Sequence, residues 1–259
     1  MMSRTSILTL FLLFLASSSH AENERIASAV YAWDHLEAER SETQERRHVF
    51  NGYTHAFEYL QVHASTVEPG MAAHTAHTHN DHEELIIIKQ GTMALSINGE
   101  SKTLSPGSVA LILPGDSHEI RNAGNGRATY YVIRWRTNGN VGPADPTALS
   151  LSVNWDDLEM KQTSKGGRRS IMRVPTSMLA EFEMHTTLLN EGMKSHDQHT
   201  HIEDEIIIVR YGYVEEIIDG KAHKAGPGSV IFLGSNVPHG IRNIGEGPCE
   251  YYAFKWKLH

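Results

Sequence analysis

Cysteine is almost missing from this 259-residue chain. Cys249 stands alone, so no disulfide can form within the molecule and stability has to come from packed cores. Clusters of positive charge are missing too. The 23 basic residues are outnumbered by 31 acidic ones, and a net charge of −8 excludes the basic face that nucleic acid or an anionic membrane surface requires. Long apolar runs are scarce, and the most marked, residues 7–15, is too short to span a bilayer as a helix. With Arg4 before it and Ser19-His20-Ala21 after it, this run reads as a signal peptide over residues 1–21. The mature chain then begins near Glu22 and is periplasmic or secreted. No cysteine near the cleavage point offers a lipid anchor, so no membrane attachment is expected after cleavage.

Histidine, by contrast, is abundant. Its 17 copies concentrate around a residue order that is written twice. The first copy runs His77-Thr78-His79, Glu84, Gly91, then Gly107, His118 and Asn122. The second runs His199-Thr200-His201, Glu205, Gly212, then Gly228, His239 and Asn243. From glutamate to last histidine the distance is 34 residues in both. Around these motifs Trp33, Arg46-Arg47 and His63 match Trp155, Arg168-Arg169 and His185 at an offset of 122. Downstream, Asn98-Gly99, Pro106-Gly107 and Trp135 match Asp219-Gly220, Pro227-Gly228 and Trp256 at 121. Two units follow, 28–136 and 150–259, joined by a linker over 137–149 that is rich in Gly, Asn and Pro.

Within each unit the pattern is β. Residues 85–88 and 206–209 are short β-branched runs closed soon after by a glycine, the length of strands rather than helices. Asn98-Gly99 and Asp219-Gly220 suit tight type I′ hairpins, which need positive φ at both central residues. Many short strands punctuated by Gly, Pro and Asn predict an all-β protein of two tandem jelly-roll barrels related by a pseudo-two-fold axis.

Residues two apart on a strand share a face, so each His-x-His presents paired imidazoles, and a barrel interior lets the glutamate and the distant histidine join them. Three imidazoles and a carboxylate suit a divalent transition metal. The expected ligands are His77, His79, Glu84 and His118 for one ion, and His199, His201, Glu205 and His239 for another. Glu83 is the rival of Glu84; both Glu84 and Glu205 lie seven residues before the closing glycine, which favours Glu84. Four protein ligands leave two open positions on octahedral Mn²⁺ or Fe²⁺, favoured here, with tetrahedral Zn²⁺ as the alternative. His63 and His185 are candidate proton-transfer groups, while His74, His82 and His196 read as loop residues at the barrel mouth. Strand alternation points Arg121 and Arg242 away from the metal, and Trp33, Trp135, Trp155 and Trp256 read as packing anchors.

These motifs resemble those of the cupin superfamily. Gly70…His77-Thr78-His79…Glu84…Gly91 and Gly192…His199-Thr200-His201…Glu205…Gly212 are similar to its first motif, with a glycine-to-histidine spacer of six residues rather than five. Gly107…His118…Asn122 and Gly228…His239…Asn243 are similar to its second. Leu113 stands where proline is expected in one copy, and Gly234 and Asn236 replace the proline and glycine in the other. The resemblance implies a bicupin with both metal sites intact. It also implies a range of activities: dioxygenases, oxalate decarboxylases, isomerases, ureidoglycine aminohydrolase-like enzymes, and non-catalytic sugar-binding or storage proteins. The leading expectation is a metal-dependent enzyme that converts a small oxygen-rich molecule, such as a sugar acid, keto or hydroxy acid or enediol, by dioxygenation, isomerisation or decarboxylation. The other is a non-catalytic periplasmic protein that binds metal or sugar. The chain is expected as a monomer or as a homo-oligomer through sheet faces.

Overall fold

β-Branched and aromatic side chains pack well on a pleated surface and lose rotamer freedom in a helix, so the short apolar runs of this chain are extended. The computed structural model describes residues 24–139 and 147–259. The expected leader and residues 140–146 of the expected linker lie outside the described residues. Among the described residues helix is limited to two 3-10 turns, Trp33–His35 and Trp155–Asp157. Everything else regular is strand.

The first ten strands begin with β1 (Ala29–Tyr31), β2 (Ala38–Arg40), β3 (Gln44–Gly52), β4 (Phe57–Val67) and β5 (Glu83–Gln90). They continue with β6 (Met93–Ile97), β7 (Glu100–Leu104), β8 (Val109–Ile112), β9 (His118–Asn122) and β10 (Ala128–Thr137). The second ten repeat the series, with β11 (Leu151–Val153), β12 (Lys161–Thr163), β13 (Gly166–Val174), β14 (Glu181–Leu189) and β15 (Glu205–Tyr211). Then follow β16 (Val214–Ile218), β17 (Lys221–Ala225), β18 (Val230–Leu233), β19 (His239–Asn243) and β20 (Cys249–Lys257). Each half has a seven-stranded and a three-stranded antiparallel sheet. The orders are β11-β8-β5-β10-β4-β3-β2 with β7-β6-β9, and β1-β18-β15-β20-β14-β13-β12 with β17-β16-β19.

Alternation along β5 shows how these sheets stack. Leu85 and Ile87 belong to a central core that also holds Ile206, Ile208, Trp135, Trp256, Phe182 and Phe254, so the two large sheets pack face to face. Ile86 and Ile88 point the other way and meet Met93, Leu95 and Ile120 of the small sheet. Ile207 and Val209 do the same with Val214, Ile218 and Ile241. The result is four layers with a lumen between each large sheet and its small one, the two tandem jelly-roll barrels that the sequence predicts. Strands buried on both faces read as continuous apolar runs, which is why residues 85–88 show no polar alternation.

The halves also exchange their first strands. β1 pairs with β18 of the second half, and β11 pairs with β8 of the first. Trp33 and Trp155, just after the exchanged strands, seat on the Pro-Gly turns of the opposite half. A Cβ on Gly107 would lie 2.5 Å from the Trp155 ring, and one on Gly228 would lie 2.9 Å from Trp33. Tyr131 Oη donates to the Gly228 carbonyl and Tyr252 Oη to that of Gly107, at 2.7 and 3.0 Å. The hairpin expectation holds: Asn98 and Gly99 have φ of 51° and 86°, Asp219 and Gly220 of 47° and 76°.

Candidate metal centres

The first and last histidines of each motif are held together by backbone. His77 and His118 exchange N–H···O bonds of 3.1 and 2.9 Å, and His199 and His239 exchange two of 3.0 Å. Their rings therefore lie side by side, with centroids 4.4 and 4.5 Å apart. His79 and His201 come from the same loops, with centroids 5.0 and 4.8 Å from those of His118 and His239.

Which nitrogen faces inward follows from the other one. The Nδ1 atoms of His79, His118, His201 and His239 face the carbonyls of His82, Asp116, Glu203 and Val237 at 2.8–3.3 Å. A carbonyl only accepts, so each Nδ1 carries a proton and Nε2 is the atom turned to the cluster, that of His201 being hydrogen-bonded to Glu205 Oε2 at 3.0 Å. The Nε2 atoms of His79, His118 and His239 are buried without a hydrogen-bond partner. Orphaned lone pairs converging on a carboxylate fit a divalent cation.

Glu84 is the carboxylate that faces the first cluster. Its oxygens lie 3.4 Å from His118 Nε2 and 3.9 Å from His79 Nε2. Glu83 points the opposite way, where it accepts from Trp135 Nε1, Thr176 Oγ1 and the Met178 amide at 2.8–2.9 Å. Glu205 lies 3.0 Å from His201 Nε2 and 3.5 Å from His239 Nε2. In the second half His199, His201 and His239 bring one ligand atom each within 4.8 Å of one another. In the first half two such trios share His118: His79–Glu84–His118 and His74–His77–His118. His74, expected at the mouth, thus stands edge-on to His77 at 4.2 Å, as His196 does to His199. His82 stacks on His79 at 3.9 Å.

The second cluster, with His199, His201, Glu205 and His239, lines a cavity of about 420 Å³, whereas the first meets its cavity of about 400 Å³ through Glu84 and His74 alone. His63 lines the first and His185 the second. Burial and the Arg46 guanidinium hold His63 down at about 3; burial and Arg168 hold His185 down at about 4. Both imidazoles are therefore neutral at pH 7. Burial alone would raise Glu84 and Glu205. Their imidazole partners, and Arg134 for Glu84, outweigh burial and keep both carboxylates ionised. Arg121 and Arg242 lie outside the lumens, exposed and paired to Glu119 and Glu215.

Two lumen residues escaped sequence reasoning. Arg134 donates from Nε to Glu84 Oε2 at 2.6 Å, whereas its counterpart Lys255 makes no ion pair with Glu205 within 4.0 Å among the described residues. Glu216 lines the second cavity, fully buried, where the repeat puts Leu95 in the first half. The signal lay in subtracting one copy from the other, because Val214-x-Glu216-x-Ile218 breaks an apolar alternation that Met93-x-Leu95-x-Ile97 keeps.

The cupin domain model matches residues 64–134 and 185–255, and the chain belongs to the cupin family. No curated protein matches it in sequence. Solved structures do match in fold. Ylba from E. coli is 16% identical, with 88% of this chain and 89% of that one covered and a TM-score of 0.66. AerE from Microcystis aeruginosa is 13% identical over 89% and 99%, with a TM-score of 0.68. A Bacillus subtilis oxalate decarboxylase studied for its Mn(II) centres is 13% identical over 90% and 78%, with a TM-score of 0.69.

Proposed function

We propose that this protein is an exported, divalent-metal-dependent enzyme acting on a small oxygen-rich anion such as a dicarboxylate, sugar acid or keto acid. His77, His79, Glu84 and His118 would hold one ion, and His199, His201, Glu205 and His239 the other. The observation that carries the reading is the set of buried Nε2 lone pairs, each oriented by a carbonyl at Nδ1 and converging on a carboxylate beside an open cavity. Mn²⁺ or Fe²⁺ suits a mixed nitrogen and oxygen ligand set, and the Mn(II) of the fold-related decarboxylase is in keeping with that choice. Export rests on the leader-like residues 1–21.

When bound, the ion would polarise substrate oxygens and stabilise negative charge developing on them. The chain's own groups do the rest. His63 and His185 are neutral within their lumens and would hydrogen-bond a substrate oxygen; proton transfer through either would require a bound substrate to raise its basicity. Arg46 and Arg134 line the first cavity and can pair with a substrate carboxylate. The reaction class we favour is decarboxylation, isomerisation or dioxygenation.

The test is turnover of a panel of oxalate, sugar acids and keto acids, with and without O₂, by protein loaded with Mn²⁺ or Fe²⁺. Product formation that disappears in His185→Phe or His63→Phe supports the reading. Binding without turnover across the panel would instead favour a capture protein.

A further inference from the structure

Glu216 is where the second lumen departs in kind from the first. β16 buries residues 214, 216 and 218 on one face, and two of them are the apolar Val214 and Ile218. The equivalent face of β6 carries Met93 and Leu95 in an apolar cluster. Glu216 is 0% exposed, and neither of its oxygens is hydrogen-bonded to a side chain; the Gly240 backbone amide is the polar group turned toward it. It nevertheless lines the cavity that His199, His201, Glu205 and His239 share with His185.

An ionised carboxylate in such a place is heavily penalised, because it has lost water and, among the described residues, no cationic side chain pairs with it. The neutral acid is the form that the site holds. Burial and the negative charge of Glu205 push its titration up to about 8, which the Gly240 amide offsets only in part. What remains is an O–H donor facing a cavity with nothing to donate to. A leucine fills the same position in the other half, so the fold does not need a carboxyl there. Buried groups left unsatisfied by the fold mark places where a ligand completes the hydrogen bonding.

We propose that Glu216 contacts the ligand of the second lumen, donating a hydrogen bond from its carboxylic O–H to an oxygen of a small dicarboxylate or keto acid held at the imidazole cluster. The two halves, alike in their ligand sets, then differ in what they bind. The first meets an anion with Arg46 and Arg134, and the second adds a neutral acid at the position of Leu95. This rests on the metal-and-small-anion reading given above.

The experiment uses the full mature chain loaded with Mn²⁺ and oxalate as probe. Calorimetric titration, Mn content and melting temperature are measured on wild type, Glu216→Leu and Glu216→Gln. Glu216→Leu should keep its Mn content, melt higher without oxalate, and bind oxalate about tenfold more weakly at one of two sites, the loss of one charge-assisted hydrogen bond. Glu216→Gln, whose amide still donates, should bind within about threefold of wild type. Unchanged oxalate affinity in Glu216→Leu overturns the proposal and makes Glu216 a core residue. Loss of one Mn per chain overturns it differently, making Glu216 a ligand of the ion. If Mn-loaded wild type takes up no oxalate, sugar acid or keto acid, the small-anion reading itself fails, and this inference with it.

Discussion

Glu83 and Glu84 are chemically identical neighbours with opposite surroundings, and the difference is one step of a strand. Glu84 faces the lumen among imidazoles, while Glu83 faces the seam between the halves and accepts three hydrogen bonds. Burial, only partly countered by those bonds, pushes Glu83 up to about 7. A carboxyl raised above its ordinary value binds its proton more tightly when folded. Its contribution to stability is therefore full below about pH 4.5 and lost as pH rises through about 7, an amount of roughly 3 kcal/mol. Urea unfolding across this pH range should show that decline in wild type and a flatter profile in Glu83→Gln; an unaltered slope contradicts the assignment. Its counterpart Asp204 is one methylene shorter. It accepts from the Ala56 and Ser235 amides, and Trp256 Nε1 is left without a partner, whereas Trp135 Nε1 bonds Glu83. Trp135→Phe should accordingly cost about 1–2 kcal/mol more than Trp256→Phe, as read by denaturant unfolding. Equal costs would mean that the Trp135 bond contributes nothing. Period-two alternation shows which residues share a face, but not which face is the lumen, and so Glu83 stayed a rival in the sequence.

At the scale of elements, the hairpins were legible because positive φ demands Asn, Asp or Gly, and the chain has Asn98-Gly99 and Asp219-Gly220 at those turns. The exchanged strands were not. β1 and β11 are three residues each and half-buried, too short to carry a pattern. What anchors them is the fit of Trp33 and Trp155 over Gly228 and Gly107, where a side chain has no room. Gly228→Ala should be destabilised by about 2–4 kcal/mol, because the new Cβ strains a backbone held at φ 89° and displaces Trp33. Gly99→Ala, with φ 86° and open space around it, should incur the backbone strain alone, about 1–2 kcal/mol of lost stability. The two midpoints in urea check this; equal shifts would show that the Trp33 contact contributes no stability.

Across the whole molecule, duplication made the fold legible, because a repeat of matched strands and motifs can only be two copies of one barrel. It hid the asymmetry for the same reason. Arg134 against Lys255 and Leu95 against Glu216 are single differences inside long runs of agreement, and their meaning depends on a lumen that the sequence does not display. The central claim is that both lumens hold an ion through the residues the repeat keeps. Metal content per chain, measured after Mn²⁺ loading and desalting, tests it most directly. Wild type should hold two ions, His118→Ala and His239→Ala one each, and the double variant none, with β-sheet content unchanged in circular dichroism. Wild type holding one ion or fewer, or single variants that keep both, would contradict the account.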